Sequence, residues 1–227
     1  MQLRFEGLDG HLAKNLAPLY VISSDEHLLA LEAADKIRRA ARANGYSERD
    51  VLSVDRSFKW GELLAANQAL SLFGDKKLIE LRIPTGKPGK EGGAALQSYA
   101  KDLNPDNLTL ITLPKLDWQT AKAAWVAGLQ QAAVYIEIAT VERAQLPAWI
   151  GIRLAAQGQS ADRQGLDFIA DRVEGNLLAA HQEILKLALL HEPGKLTFEQ
   201  IHDAVLNVAR YDVFKLSEAM LAGDPAR

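Results

Sequence analysis

The chain has 227 residues, 48% of them hydrophobic and 24% charged, the balance of a soluble globular protein long enough for one large or two smaller domains. A net charge of −3 excludes a global basic field, so any role on nucleic acid must be local or supplied by partners. The absence of cysteine excludes disulfides, thiolate nucleophiles and cysteine-held metals.

The N-terminal run Met1-Gln2-Leu3-Arg4-Phe5-Glu6 lacks the basic and apolar regions of a secretory signal. No apolar run reaches membrane-spanning length, so the chain reads as cytoplasmic with no membrane partner. Leu19-Tyr20-Val21-Ile22 predicts a buried parallel strand. Ser23-Ser24-Asp25-Glu26 follows as an N-cap with acids in the first turn. A helix is expected from Glu26 to Ala43, with Leu28, Leu31, Ala34 and Ile37 at helical spacing and Gly45 as its left-handed cap. Residues 51–54 read as a second strand, 60–69 as a helix and 77–83 as a third strand. Pro84 to Gly93, rich in Gly, Pro and Lys, reads as a loop. A helix over 94–103, a strand over 108–113, a helix over 118–131 and a strand over 133–138 complete the alternation. Strands alternating with helices imply an α/β fold with a parallel sheet covered on both faces.

After Ile138 the pattern becomes helical, over 145–157, 162–173, 176–191 and 197–207. Thr197 and Gln200 carry a capping-box signature. A boundary is therefore expected near Thr140, between an α/β domain and a small helical bundle. A further helix is expected to begin near Val213, with little chain left for it to pack on.

The first strand-turn-helix is where a nucleotide-binding protein carries its phosphate loop, built of glycines, a lysine and a Ser/Thr. Here the turn reads Ile22-Ser23-Ser24-Asp25-Glu26-His27-Leu28, with no glycine, no lysine and two acids. Leu113-Pro114-Lys115 stands where magnesium-holding acids would end the fourth strand. The scaffold is that of an ATPase stripped of its nucleotide site. The five histidines, His11, His27, His181, His191 and His202, have no paired spacing suited to a metal and read as surface or cap residues. Gly86-Lys87-Pro88-Gly89-Lys90 lacks the Gly-Lys-Ser/Thr ending and reads as a surface loop. Lys87, Lys90 and Lys101 read as a solvated face rather than as phosphate contacts.

Gln68-Ala69-Leu70-Ser71-Leu72-Phe73-Gly74-Asp75 joins a helix to the next strand and places three large apolar residues just before a turn. The residues alone leave two readings open: Leu70, Leu72 and Phe73 plug the core, the commoner fate, or Leu72 and Phe73 project as a wedge for a partner. Gln68-Ala69-Leu70-Ser71-Leu72-Phe73 closely resembles the clamp-binding segment of the delta subunit of bacterial DNA polymerase III. Residues 19–29 resemble that family's degenerate nucleotide loop. Ala123-Ala124-Trp125 and Ala144-Gln145-Leu146-Pro147-Ala148-Trp149-Ile150 are similar to the end of its first domain and the start of its second. Val173-Glu174-Gly175-Asn176-Leu177-Leu178-Ala179 and Gly194-Lys195-Leu196-Thr197 are similar to its second-domain turns.

The resemblance implies an AAA+-like α/β domain over 1–140, a helical lid over 141–210 and, over 211–227, the start of a C-terminal helical collar that is otherwise missing. The chain then reads as a fragment. It further implies binding of the beta sliding clamp through Leu70, Ser71, Leu72 and Phe73, with the helix over 60–69 pressing on the ring interface. No cofactor and no catalysis by this chain are implied. The sibling gamma/tau and delta-prime subunits, met through the collar, would use ATP, and primer-template DNA would be met within the assembly. A divergent ATPase and a generic protein-interaction module stand as alternatives. The delta-prime relative, which carries a zinc site and a Ser-Arg-Cys motif, is excluded by the lack of cysteine.

Overall fold

A computed structural model describes residues 1–69, 76–173 and 175–206, in two compact units, 1–140 and from Val141 onward. In the first unit the chain runs β1 (Gln2–Leu3), α1 (Leu8–Leu12), β2 (Leu19–Ser24), α2 (His27–Ala43), β3 (Tyr46–Ser53) and α3 (Trp60–Gln68). It continues as β4 (Lys76–Arg82), α4 (Gly89–Lys101), β5 (Asn107–Leu113), α5 (Trp118–Ala121), α6 (Ala124–Ala132) and β6 (Val134–Ile138). The described strands form one parallel sheet in the order β1-β6-β2-β5-β4-β3.

Because side chains alternate along a strand, each central strand feeds two cores. Leu19, Val21, Ile79, Leu81, Ile111 and Tyr135 pack with Trp60, Leu63, Leu96, Tyr99, Trp125 and Leu129 of α3, α4 and α6. Their neighbours Tyr20, Ile22, Leu78, Leu110 and Ile136 are also buried, and α2 packs against β2, β3 and β5 with Leu28, Leu29, Ala33, Ala34, Ile37 and Ala41 buried. Two buried residues of β4 are charged, Lys77 and Glu80, and Glu80 is the more deeply placed. Glu80 of β4 accepts from Arg38 Nε and Nη2 at 2.7 and 2.9 Å and from Arg49 Nε and Nη2 at 2.7 and 3.0 Å. Burial alone would raise its carboxyl, but the two guanidinium groups outweigh that and hold it at about 2.

Several expectations need correction. The stretch 84–93 is not all loop, since α4 begins at Gly89. A Cβ on Gly92 would stand 2.3 Å from Trp60 Cε2, and one on Gly93 would stand 3.3 Å from Trp125 Cδ1. These glycines admit two indoles to the helix surface rather than breaking the chain. The second strand starts at Tyr46 rather than Val51, because the edge position leaves alternate residues exposed and lets polar side chains join it. The helix over 118–131 is two helices, parted at Lys122 and Ala123. Leu31 is 56% exposed, outside the buried stripe of α2. β1 and α1 were unanticipated. Gly45 does take the left-handed conformation, at φ 88°.

The second unit holds α7 (Leu146–Ala156), β7 (Gln159–Ser160), α8 (Arg163–Arg172), α9 (Leu177–Leu190), β8 (Gly194–Lys195) and α10 (Phe198–Leu206). Leu146, Ile150, Leu154, Ile169, Ala180, Ile184, Leu187 and Ile201 form its buried set. Buried Gln159 donates to Leu187 O and His191 O at 3.1 and 2.8 Å, closing the end of α9 from the side. Asn176 caps the start of α9 by accepting from Ala179 N at 3.1 Å, after Gly175 at φ 82°. Gln200 N donates to Thr197 Oγ1 at 3.2 Å and Thr197 N donates to Gln200 Oε1 at 2.8 Å, the reciprocal capping box expected from the sequence. The helix expected from Val213 lies outside the described residues. No described helix is long and apolar enough to cross a membrane.

Candidate partner-binding segment

The segment singled out by sequence, Leu70, Ser71, Leu72 and Phe73, lies outside the described residues. Both of its ends are described. α3 stops at Gln68, and Ala69 already has extended backbone at φ −65°, ψ 121°, its N–H donating to Ala65 O at 2.8 Å. β4 takes over at Lys76, at the amino-terminal edge of the sheet.

A cluster of asparagines fixes that edge. Asn67, buried in the last turn of α3, donates its amide to Asp102 O at 2.9 Å. Its carbonyl O accepts from Asn104 Nδ2 and Asn107 Nδ2, both at 2.9 Å. Asn67 Oδ1 also accepts from Asn104 N and Asn107 Nδ2, both at 3.4 Å. The carbonyls of a helix end have no partner within the helix, and here side chains from the turn before β5 supply one. The same turn holds the far end: Lys77 N donates to Asp106 O at 3.1 Å, and the Lys77 ammonium pairs with Asp50 at 3.2 Å. One short turn, 102–107, therefore anchors the chain on both sides of the apolar segment. Sequence reasoning missed these asparagines. The available signal was Asn104-Pro105-Asp106-Asn107, a turn-forming run, together with an asparagine ending an apolar helix.

At the opposite, carboxyl-terminal edge lies the turn after β2. Ser23 and Ser24 belong to the strand rather than to an N-cap, and Glu26 precedes α2 without a side-chain cap bond. Ser24 Oγ donates to Ile138 O at 3.0 Å and accepts from Glu26 N at 2.9 Å. Ser23 Oγ donates to Pro114 O at 3.1 Å, and Asp25 accepts from Lys115 N at 3.0 Å. One amide of the turn, Glu26 N, is thus taken by the turn's own Ser24, and the side chains of Ser23, Ser24 and Asp25 bind β2 to the ends of β5 and β6. Burial raises the Glu26 carboxyl, against a lowering backbone hydrogen bond from Leu28 and the charge of His27.

Among the described residues no group of three or more His, Asp or Glu is placed to hold a metal. His11 meets Tyr20 Oη at 3.2 Å, and His202 stacks on Phe168.

The family model for the DNA polymerase III delta subunit matches residues 20–139. The chain is 30% identical over 222 residues to DNA polymerase III subunit delta of Escherichia coli K12, covering 98% of this chain and 65% of that protein. It is 29% identical over 228 residues to the same subunit of Haemophilus influenzae, with the same coverage of 98% and 65%. The chain thus spans about two thirds of the length of these curated relatives. Among solved structures it is similar in fold to the DNA clamp loader delta protein of Bacillus subtilis. That match has a TM-score of 0.64 at 16% identity and covers 97% of this chain and 72% of the other.

Proposed function

This chain belongs to the DNA polymerase III delta subunit family, and on that premise we propose that it grips the beta sliding clamp through Leu70, Ser71, Leu72 and Phe73 and favours the opened ring. The observation that supports the reading is that a single turn anchors both Asn67 and Lys77, the described residues on either side of the segment. Leu72 and Phe73 enter an apolar pocket of the clamp, with Leu70 packing beside them. Burying one such side chain contributes about 1.5–3 kcal/mol, so two contribute about 3–6 before association costs. A pair of that size dominates a small interface.

Binding alone does not open a ring. The segment must bind the distorted interface better than the closed one, since only differential affinity shifts an equilibrium. α3, ending directly at the segment, is the element that bears on the interface. Residues 1–140 serve as an AAA+-like domain, 141–210 as a lid and 211–227 as the entry to a collar that meets gamma/tau and delta-prime. The chain is a non-catalytic cytoplasmic subunit of the replication machinery, and primer-template DNA is met within the assembly. The side-chain ties at Ser23–Asp25 favour this reading over that of a divergent ATPase.

The test is binding of this chain to its clamp by surface plasmon resonance, beside a Leu72→Ala/Phe73→Ala variant whose fold is checked by circular dichroism. Loss of binding in a folded variant is the expected result. Undiminished binding by that variant would sink the reading, and unfolding of the variant would return those side chains to the core.

A further inference from the structure

Of the four tryptophans, Trp60 and Trp125 are buried and Trp149 is half-buried, whereas Trp118 is 72% exposed at the start of α5. An exposed indole offers a flat apolar face with a polar N–H at its edge. Its surroundings are cationic. Lys122 places its ammonium 3.3 Å from the centre of the Trp118 ring, leaving most of the ring open to water. Lys115 lies in the loop leading to Trp118. Lys87 belongs to the loop after β4, which touches the first: a Cβ on Gly86 would stand 3.1 Å from both Leu116 Cδ2 and Pro114 Cγ. Lys87, Lys115 and Lys122 are exposed, and none forms an ion pair with a described residue. The two acids beside them are engaged with backbone amides. Asp25 accepts from Lys115 N, and Asp117 accepts from Thr120 N at 2.8 Å and from Thr120 Oγ1 at 3.0 Å. Those bonds hold the Asp117 carboxyl below the usual range, with the charge of Lys87 adding to the effect.

We propose that the loops at the carboxyl ends of β4 and β5 bind single-stranded nucleic acid, with Trp118 as the stacking platform and Lys87, Lys115 and Lys122 as phosphate contacts. An acidic peptide would answer the lysines and leave the indole idle. A duplex hides the faces of its bases. A single strand alternates flat bases with phosphates and uses both features at once, without base-edge recognition. The local charge differs in sign from the chain's net −3, which allows a confined contact and no general affinity for polyanions. This surface is separate from the segment at 70–73 and does not depend on the clamp reading.

Fluorescence anisotropy of a labelled oligo-dT strand with the full chain, titrated from low to moderate salt, tests it. A parallel oligo-U strand separates DNA from RNA preference. Three phosphate contacts predict a slope of log affinity against log salt of about −2, at about −0.7 per contact. Trp118→Ala is expected to weaken binding about five- to 150-fold, the range for one stacked base, while Trp118→Phe retains most of it. Lys87→Gln/Lys115→Gln should flatten the slope by about 1.4. These positions are exposed, and circular dichroism checks each variant. Leu72→Ala/Phe73→Ala should bind the strand unchanged. Absence of binding at low salt, equal binding by Trp118→Ala, or displacement of the strand by polyglutamate at equal charge would each overturn the proposal.

Discussion

The two edges of the parallel sheet use polar side chains in opposite ways. At the carboxyl edge, Ser23, Ser24 and Asp25 bind the turn after β2 to its neighbouring strands. At the amino edge, Asn67, Asn104 and Asn107 spend their hydrogen bonds on the described residues that flank the apolar segment. The difference teaches that an α/β scaffold can lock the turn after a central strand with a few hydroxyl and carboxylate bonds. It can equally tie a helix end to a neighbouring turn at the other edge with a few amide bonds.

β4 connects the two edges, and its buried Glu80 is where the comparison breaks most easily. Glu80→Gln leaves Arg38 and Arg49 facing a neutral partner and should destabilise the fold by about 3 kcal/mol, read by urea denaturation. Acid should reproduce the loss. The folded-state value of about 2 lies below the ordinary 4.5, so the contribution is full above pH 4.5 and disappears as pH falls toward 2. That difference corresponds to about 3 kcal/mol across the window, and the dependence should vanish in Glu80→Gln. At the amino edge, Asn107→Ala removes two bonds to Asn67 and should cost about 2 kcal/mol. Clamp binding should weaken with it, and proteolysis near 70–75 should speed up. The carboxyl edge supplies the smallest effect. Ser24→Ala should cost about 1 kcal/mol, by thermal unfolding, and leave clamp binding unchanged. A Ser24→Ala chain that lost clamp binding would mean the edges are coupled rather than separate.

Much of this architecture was readable before any coordinates. Leu19–Ile22, Leu108–Leu113 and Val134–Ile138 are runs with apolar demand on both faces, and such runs become central parallel strands. The edge strand was only half legible, since Tyr46–Asp50 alternates polar residues toward water. α4 starts five residues earlier than expected because glycine signals a turn in sequence, whereas Gly92 and Gly93 answer the volumes of Trp60 and Trp125, far away in the chain. The reading of the apolar segment rests on its resemblance to a family, not on periodicity, and the segment lies outside the described residues. Its asparagine supports were invisible because their bonds span 35 to 40 positions. The cationic indole at Trp118 escaped notice for a similar reason, as it depends on two loops meeting.

α3 is held at its first residue, where the Trp60 ring lies against Gly92, and in its last turn, where Asn67 is bonded on both its backbone and its side chain. Between those points lie about 10 Å of helix, at about 1.5 Å per residue. A short rod pinned at both ends does not swivel. Any pull exerted on the segment that follows it is delivered to α4 and to the turn at 102–107, and through them to the sheet as a whole. The first unit is therefore expected to yield to mechanical load as one block.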